Sequence, residues 1–406
     1  MNGRRKTAAV LFAAAFLCAA AALPSRAQWP PWAGEEKPPP VFPAIFLGPD
    51  EAAERMENDR WVVADARPPA ISARGRPEGA FLLPPDVPLP KSLPRATGIV
   101  VVGDAADPSL AAFLFWRLEA AGRESVRVLR GGFGAWREAG LPVEEGSARP
   151  PEGDETEAAA GGAAADAARL AARYGKPDAE VIDCRPDSLW RLGHVPHALP
   201  FDFRSLAGPD GTFPPGPEIR ETFGKLGPRP STRIHLDAEF FLYDGGGGRE
   251  AALGYLLLRA AGIERARVFP GGWAEWAAAD SLPAARIVTA EEIARLLEVD
   301  RERPPAERLL LIDARHGPDW RAGHIPGSIN LPAHYPPDSL EALLRRAAPA
   351  IDRSRAFAVF TCYGPGCVRS RNGSTRAARA GFRRVGWHRG GWEEWTGENR
   401  PVKHER

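Results

Sequence analysis

Short apolar runs alternate along this chain with longer stretches in which apolar residues recur at helical spacing. In the last third of the chain, RLLLIDAR predicts a buried strand, SLEALLRRAAPA a helix and AFAVFTC a second strand. STRAARAG then predicts a helix, and RRVGWHRGG a third strand that leads into the helix start WEEW. Because strands that alternate with helices require right-handed crossovers, the pattern predicts an α/β fold with a mostly parallel sheet, flanked by helices on both faces.

The same pattern occurs three times, which indicates an internal repeat. An Asp-x-Arg triplet follows an apolar strand at Asp65–Arg67, Asp183–Arg185 and Asp313–Arg315. Each triplet is followed much later by a Gly-Gly pair, an aromatic residue and a Trp three positions beyond that residue. These later elements are Gly131-Gly132-Phe133 with Trp136, Gly271-Gly272-Trp273 with Trp276, and Gly390-Gly391-Trp392 with Trp395. We therefore expect three tandem modules of one fold.

The repeats, together with the composition of the stretches between them, divide the chain into six segments. They are a signal peptide (1–27), a Pro-rich leader (28–40), module 1 (41–143), an Ala/Gly-rich linker (144–170), module 2 (171–285) and module 3 (286–402). The linker is polar and small-residue-rich, so we expect it to be flexible and module 1 to be loosely tethered. The join between modules 2 and 3 is short, and these two modules are expected to pack as a pair.

The N-terminal segment has the features of an export signal. Basic residues 4–6 precede the apolar run Ala8–Leu23, and the triplet Ser25-Arg26-Ala27 fits a small-x-small cleavage site. We expect an exported protein, periplasmic or secreted, whose mature chain begins near Gln28 and has no membrane span. The alternative is an uncleaved anchor, although the apolar run is short for crossing a bilayer.

Charge and motifs exclude several classes of function. The chain has 53 Lys and Arg residues against 52 Asp and Glu, so no overall field would attract nucleic acid. Neither a phosphate-binding loop nor a dinucleotide fingerprint is present, and we expect no cofactor. His388 and the close Cys pair of module 3 lack a third ligand at metal spacing, so we also expect no metal site.

The candidate chemistry lies in the loop after the AFAVFTC strand. Cys362 ends this strand, and ligands of parallel sheets bind at the carboxyl ends of strands. The predicted substrate-binding loop then contains Tyr363, Gly364, Pro365, Gly366, Cys367 and Val368, and the helix begins with Arg369 and Ser370. Loop N–H groups and a helix N-terminus favour thiolate over thiol, and an arginine suits an anionic oxygen group. We therefore predict a nucleophilic sulfur at Cys362; the alternative is a small buried hydrophobe.

Cysteine usage adds a redox hypothesis. A chain that starts near Gln28 keeps Cys184, Cys362 and Cys367, and three thiols cannot form a disulfide framework. Cys362 and Cys367 are the close pair, and the Gly-Pro-Gly turn between them can bring their Cα atoms within about 4.4–6.8 Å. We predict that Cys367 is the redox partner of Cys362 in a reversible disulfide that gates activity. In the alternative Cys367 is a bystander, and Cys184 is expected to fill space beside its strand.

The pattern resembles the rhodanese family of sulfurtransferases. In module 3 the matching elements are the Asp-x-Arg triplet, the segment 323–332 (GHIPGSINLP), the strand that ends at Cys362, and the final Gly-Gly with its Trp. Module 2 has a weaker GHVPHA segment at 193–198 and a DGTF insert at 210–213, similar to the C-terminal half of tandem thiosulfate sulfurtransferases. The resemblance implies rhodanese-like α/β modules and a persulfide intermediate on the loop cysteine.

Departures from the family pattern leave one active module. The strand EFFLYD of module 2 ends at Asp244, a carboxylate that cannot carry sulfane sulfur, and Arg249 follows five steps later. The strand GIVVVGD of module 1 ends at Asp104, with no arginine at the matching place. We expect modules 1 and 2 to be inactive. In module 3 the step from Cys362 to Arg369 is seven residues, and a loop of that width is associated with phosphatase-like members of the superfamily.

These features support one main hypothesis and two alternatives. The main hypothesis is an exported sulfurtransferase that moves sulfane sulfur from thiosulfate or a persulfide donor through Cys362 to cyanide or to a thiol, including a protein thiol. Cys362, Arg369 and Ser370 are the predicted catalytic residues. Asp313 and Arg315 are expected to form a structural ion pair, and His324 a structural hydrogen bond. The alternatives are a non-catalytic binding or redox module with a Cys362–Cys367 disulfide, and phosphatase-like loop chemistry.

Overall fold

The computed structural model describes residues 41–405, apart from 58–60, 90–97, 148–161, 209–210, 227–233, 333–339, 341, 344–345 and 347. The predicted signal peptide (1–27) and leader (28–40) lie outside the described residues, as does the middle of the predicted linker. None of the helices within the described ranges is long and apolar enough to cross a membrane.

Module 1 is built on a five-stranded parallel sheet in the order β1-β6-β5-β2-β4, beside a small antiparallel pair, β3-β7. Its elements are β1 (Phe46–Leu47), α1 (Pro49–Met56), β2 (Trp61–Asp65), α2 (Pro69–Ser72), β3 (Arg76–Pro77), β4 (Phe81–Leu82), β5 (Gly98–Val102), α3 (Ser109–Ala120), β6 (Val126–Leu129), α4 (Gly132–Glu138) and β7 (Val143–Glu144).

Module 2 has a four-stranded parallel sheet in the order β11-β10-β8-β9. Its elements are α5 (Ala167–Arg173), β8 (Ala179–Asp183), α6 (Asp187–Leu192), β9 (Leu199–Pro200), a 3₁₀ turn (Phe203–Leu206), α7 (Gly216–Gly224), β10 (Glu239–Tyr243), α8 (Arg249–Ala260), β11 (Ala266–Phe269) and α9 (Gly272–Ala278). Ala164 pairs with Val268 at the edge of this sheet, so the end of the predicted linker (144–170) is part of the module.

Module 3 has a five-stranded parallel sheet in the order β12-β16-β15-β13-β14. Its elements are β12 (Ala284–Ile287), α10 (Ala290–Asp300), a 3₁₀ turn (Pro305–Glu307), β13 (Leu309–Asp313), α11 (Gly317–Ala322), β14 (Ile329–Asn330), β15 (Phe357–Thr361), α12 (Arg369–Arg379), β16 (Arg384–Trp387) and α13 (Gly391–Gly397). Strand β12 begins just before the predicted module boundary at 285–286.

The central strands are buried along their whole length because helices cover both faces of each sheet. Every residue of β5, β8, β10 and β15 is buried. These are the continuous apolar runs that the sequence pattern assigned to strands. The predicted α/β fold of three mostly parallel modules is therefore confirmed.

Modules 1 and 2 share one continuous hydrophobic core, so the expected loose tether of module 1 is wrong. Helix α3 is apolar around most of its circumference and packs against α8. Polar contacts cross the same interface: the Tyr255 hydroxyl donates to the Glu119 carboxylate at 2.6 Å, and the Trp116 indole N–H donates to the Ala163 carbonyl at 2.9 Å. A helix that is apolar on nearly all sides must be buried, and helix α8 of module 2 packs over the exposed side of α3.

Modules 2 and 3 pack as a pair, as the short join predicts, and also share a core. The backbones of His194 and Ala285 exchange two hydrogen bonds, of 2.8 and 2.9 Å, across the module boundary. The Arg371 guanidinium in α12 also donates to the His197 carbonyl at 2.5 Å. The helix that follows the module 3 loop is thus held by module 2.

Each Asp-x-Arg triplet forms a buried ion pair at the end of a central strand. In module 3 the Arg315 guanidinium donates to the Asp313 carboxylate at 2.7 Å and to the Gly323 carbonyl at 2.7 Å. It also lies 4.2 Å from the ring centroid of Trp392, at the start of α13. Modules 1 and 2 repeat this arrangement with Gly75 and Phe133, and with Gly193 and Trp273. One guanidinium therefore joins three segments of its module.

Removing one partner of this pair should be costly, because the other charge is then buried without a counter-ion. We expect Asp313→Ala to lower the free energy of unfolding by about 3–5 kcal/mol, measured by urea denaturation followed by tryptophan fluorescence. Arg295→Ala is the matched control, since its pair with Glu291 is exposed on both sides and worth about 0–1 kcal/mol. Equal effects of the two substitutions would show that the buried pair has no special role.

Candidate active site

Cys362 follows the last residue of β15, and its backbone is fixed by the start of α13. The Cys362 carbonyl accepts a hydrogen bond from the Trp392 N–H at 2.8 Å, and the Tyr363 carbonyl accepts one from the Glu393 N–H at 2.9 Å. Gly391 has a φ of +64°, and a Cβ there would lie 2.6 Å from the Cys362 carbonyl oxygen. Only glycine permits this close approach, which explains the Gly-Gly element of the repeat.

The same contact identifies the matching position in the other modules. The Asp244 carbonyl accepts from the Trp273 N–H at 2.8 Å, and the Gly103 carbonyl accepts from the Phe133 N–H at 3.0 Å. Strand register agrees, since the residue before each of these positions lies opposite the Asp of its own triplet. Asp244 therefore matches Cys362 as predicted, but in module 1 the matching residue is Gly103. Asp104, the residue we expected there, lies one position further along the loop.

The loop of module 2 binds its own carboxylate. Asp244 is buried, and its Oδ1 accepts hydrogen bonds from the backbone N–H groups of Gly246 at 2.9 Å and Gly248 at 3.2 Å. Its Oδ2 accepts from the N–H of Glu250, in the first turn of α8, at 3.0 Å. Arg249 is directed to module 1, where it pairs with Asp107 at 3.1 Å. The backbone N–H groups around this loop therefore bind the Asp244 carboxylate, which belongs to the chain itself.

In module 3 the two loop cysteines form a disulfide. Cys362 and Cys367 are both buried, with Cα atoms 6.3 Å apart. The Cys367 N–H donates to the Gly364 carbonyl at 2.9 Å, which closes a tight turn through Pro365 and Gly366. The loop is thereby folded back so that the second sulfur meets the first.

Arg369 and Ser370 begin α12, directly after the loop. The Nη1 atom of Arg369 is buried and has no hydrogen-bond partner among the residues that the structure describes. Its guanidinium lies 5.7 Å from the ring centroid of Tyr363. Ser370 is also buried, and its hydroxyl oxygen accepts a hydrogen bond from the Trp387 indole N–H at 3.0 Å. Arg369 therefore offers an unused donor beside the loop, whereas the Ser370 hydroxyl contacts β16.

Two carboxylates that the sequence analysis did not single out lie beside the loop. Asp319 accepts a hydrogen bond from the Tyr363 hydroxyl, and burial and this bond raise the pKa of Tyr363. Glu393 lies against Gly364, where a Cβ would overlap a Glu393 carboxylate oxygen. Comparing the repeats could have found both residues, because module 2 has Leu189 and Ala274 at these positions.

A buried hydrogen-bond chain supports the end of β15. His388 Nδ1 lies 2.9 Å from the Thr361 hydroxyl, and its Nε2 lies 3.0 Å from a Glu394 carboxylate oxygen. The bond to His388 lowers the pKa of Glu394. In the part of the chain that the structure describes, no group of three His, Cys, Asp or Glu side chains could hold a metal ion. His388 thus contacts Thr361 and Glu394 within the module core.

His324, His194 and Cys184 lie outside the loop and pack within their modules. His324 Nδ1 lies 2.9 Å from the Trp320 carbonyl, and the His324 ring stacks on the Trp320 indole. His194 makes the matching contact in module 2, where burial lowers its pKa to about 3, so it stays neutral at ordinary pH. Cys184 is buried and not in a disulfide, and burial raises its thiol pKa well above the ordinary value. Such a thiol is a poor nucleophile.

Comparison with known proteins identifies the family of the three modules. The family described as rhodanese-like domain matches residues 48–139, 166–279 and 289–398. A "Probable 3-mercaptopyruvate sulfurtransferase" of Pseudomonas aeruginosa is 30% identical over 192 residues, which cover 45% of this chain and 66% of the relative. The 3-mercaptopyruvate sulfurtransferase of Escherichia coli K12 is 27% identical over 289 residues, covering 59% of this chain and 96% of the relative.

A solved structure can be added to these relatives. The crystal structure of SseA from Escherichia coli is 22% identical, covers 57% of this chain and 99% of its own, and superposes with a TM-score of 0.46. The family matches cover most of the chain and fall on the three modules described above. The chain therefore belongs to the rhodanese family, as an enzyme of the sulfurtransferase class with three tandem rhodanese-like modules.

Proposed function

We propose that module 3 transfers sulfane sulfur through a persulfide on Cys362, and that modules 1 and 2 are not catalytic. The observation that carries the proposal is the set of residues at the three matching strand ends. These residues are Gly103, Asp244 and Cys362. A glycine has no side chain, and a carboxylate cannot accept a sulfane sulfur. Cys362 alone of the three can be the nucleophile.

Module 2 supports an anion-binding role for this type of loop. Three backbone N–H groups converge on the Asp244 carboxylate at 2.9–3.2 Å, as they would on a bound oxyanion. The module 3 loop occupies the same place between its strand and helix, and its strand-end carboxylate is replaced by a thiol. In the reduced module 3 loop, we propose that backbone N–H groups act in the same way on a bound substrate or on the developing negative charge on sulfur.

The reaction follows from this arrangement once the disulfide has been reduced. The Cys362 thiolate attacks the sulfane sulfur of the donor, and the donor's sulfur–sulfur bond breaks. Sulfite, or a thiolate in the case of a persulfide donor, leaves with the bonding electrons, and Arg369 stabilises its charge. A thiolate or cyanide then attacks the outer sulfur of the Cys362 persulfide, and Cys362 leaves as a thiolate. No net oxidation or reduction occurs in this cycle.

The charges around the module 3 loop limit which sulfur donors it can bind. Arg369 is the cation at the helix start, whereas Glu393 and Asp319 place carboxylates beside Gly364 and Tyr363. Carboxylates beside the loop disfavour binding of a dianion more than binding of a monoanion. We therefore favour a singly charged persulfide over thiosulfate as the natural donor.

The disulfide favours a second candidate function. With Cys362 and Cys367 joined, module 3 cannot be loaded with sulfur, and the protein would act as a binding or redox module. We propose that the disulfide is the resting, gated form and that a dithiol reductant opens it. The predicted export signal places the protein where such disulfides persist, and export remains part of this proposal.

Loss of the nucleophile should abolish transfer. We expect Cys362→Ser to reduce the rate of thiosulfate:cyanide sulfur transfer by roughly three orders of magnitude or more, measured as thiocyanate formed by the pre-reduced protein. Cys184→Ser is the matched control and should keep the full rate, since that thiol is buried and outside the loop. Parental activity in Cys362→Ser would place the active cysteine elsewhere.

Opposite charge changes at the loop should have opposite effects on KM. We expect Arg369→Gln to raise the KM for thiosulfate by about 10-fold, because one charge-assisted contact is lost. Glu393→Gln should lower this KM by about 2–5-fold, because a repelling carboxylate is removed. Both shifts should be smaller with a singly charged persulfide donor. Shifts of the same sign would mean that these side chains act by packing and not by charge.

The anion-like role of Asp244 can be tested in the folded protein. Asp244→Ala leaves three N–H donors without their acceptor, and we expect a loss of about 1–3 kcal/mol in the free energy of unfolding. Added sulfate should restore stability to this variant by binding the vacated loop, measured as a rise in the thermal midpoint. Chloride at equal ionic strength is the control. Equal rises in the variant and the parent protein would contradict the idea that the loop can bind an anion.

A further inference from the structure

We propose that Cys367 is a second catalytic residue, which resolves the Cys362 persulfide and releases its sulfur as hydrogen sulfide. This inference rests on the proposed persulfide at Cys362. It changes the fate of that sulfur, because a thiol of the same loop displaces it before an external acceptor takes it. An external dithiol would serve to reset the loop after each release.

The disulfide shows that the sulfur of Cys367 can reach the sulfur of Cys362 within the folded module. The Cα atoms are 6.3 Å apart, and the bond forms while the turn keeps its Cys367 N–H to Gly364 carbonyl hydrogen bond. Hydrogen bonds of Cys362 with Trp392 and of Ser370 with Trp387 fix the two ends of this loop. Attack by Cys367 therefore needs no large movement of the backbone.

Burial favours the internal thiol over an external one. Cys362 is 1% exposed and Cys367 is 5% exposed. An external acceptor must enter this loop before it can meet the outer sulfur, whereas Cys367 is already beside the inner sulfur. Holding two reacting groups together in one molecule corresponds to effective concentrations of about 10⁵ M or more in favourable cases. The N-terminus of α12, two residues beyond Cys367, also favours an anionic sulfur there.

The chemistry of the step balances without any further reactant. The Cys367 thiolate attacks the inner sulfur of the Cys362 persulfide, and the bond from the inner to the outer sulfur breaks. The outer sulfur leaves with the bonding pair as hydrosulfide, and the Cys362–Cys367 disulfide forms. The sulfane sulfur is reduced, and the two cysteines are oxidised.

Resetting the loop fixes the place of this protein in a reaction sequence. An external dithiol must reduce the disulfide by thiol–disulfide exchange and become a disulfide itself. With thiosulfate as donor, the sum is thiosulfate and dithiol converted to sulfite, hydrogen sulfide and a disulfide. A reaction that supplies reducing equivalents as a dithiol must therefore accompany this protein.

The test is a single turnover of the full chain in the absence of external thiol. The parent protein is reduced, freed of reductant and mixed with one equivalent of thiosulfate. Sulfite and sulfide are measured in the solution, and the protein is alkylated and weighed intact. We expect equal amounts of sulfite and sulfide, and a protein that carries two alkyl groups fewer than the reduced chain alkylated in the same way, because Cys362 and Cys367 are joined.

Two variants separate this proposal from the persulfide chemistry on which it rests. Cys367→Ser should release sulfite, release almost no sulfide and retain one extra sulfur until an external thiol is added. Cys367→Ala is the second variant, with circular dichroism to show that each one folds, and Cys184→Ser should behave as the parent does. If the parent keeps its extra sulfur as long as Cys367→Ser does, Cys367 does not resolve the persulfide. If neither protein releases sulfite or gains sulfur, the proposed function itself fails.

Discussion

The buried ion pair of the Asp-x-Arg triplet determines where the loop of each module begins. In module 3, Arg315 joins Asp313 at the end of β13 to the Gly323 carbonyl and to the face of Trp392. The backbone N–H of the same Trp392 holds the Cys362 carbonyl. A displaced guanidinium would therefore release the aromatic residue, and with it the start of the loop. The position of the nucleophile depends on an ion pair that takes no part in the chemistry.

These contacts explain how one fold can have three different residues at the strand end. The ion pair, the glycine at the close approach and the aromatic contact stabilise a module whether or not it reacts. The residue at the strand end contributes little to these contacts except its carbonyl oxygen. It is glycine in module 1, a carboxylate that fills its own loop in module 2 and a cysteine in module 3. Arg249 of module 2 pairs with Asp107 of module 1.

The sequence predicted the features that depend on local pattern, and it failed where a side chain gives no local signal. Strands, crossovers and the repeat follow from apolar periodicity, which each segment carries in itself. The apolar pattern predicts the strand end of module 1 one residue late, because Gly103 has no side chain to mark its burial. The linker composition predicts a loose module 1, whereas the all-round apolar pattern of α3 indicates a covered helix, and the structure agrees with α3. The approach of Glu393 to Gly364 joins two distant segments, so only the folded chain shows it.

The role of the loop disulfide follows from the size of the ring it closes. The two cysteines are five positions apart in the sequence, and a ring this small removes only about 2 kcal/mol of chain entropy from the unfolded state. The same loop is already held by the Trp392 and Glu393 N–H groups and by the buried contacts of α12. Stability therefore gives little reason for a second cysteine in this place. A pair of sulfurs that can meet inside a buried loop has its main consequence in sulfur chemistry, where each turnover can end with their bond.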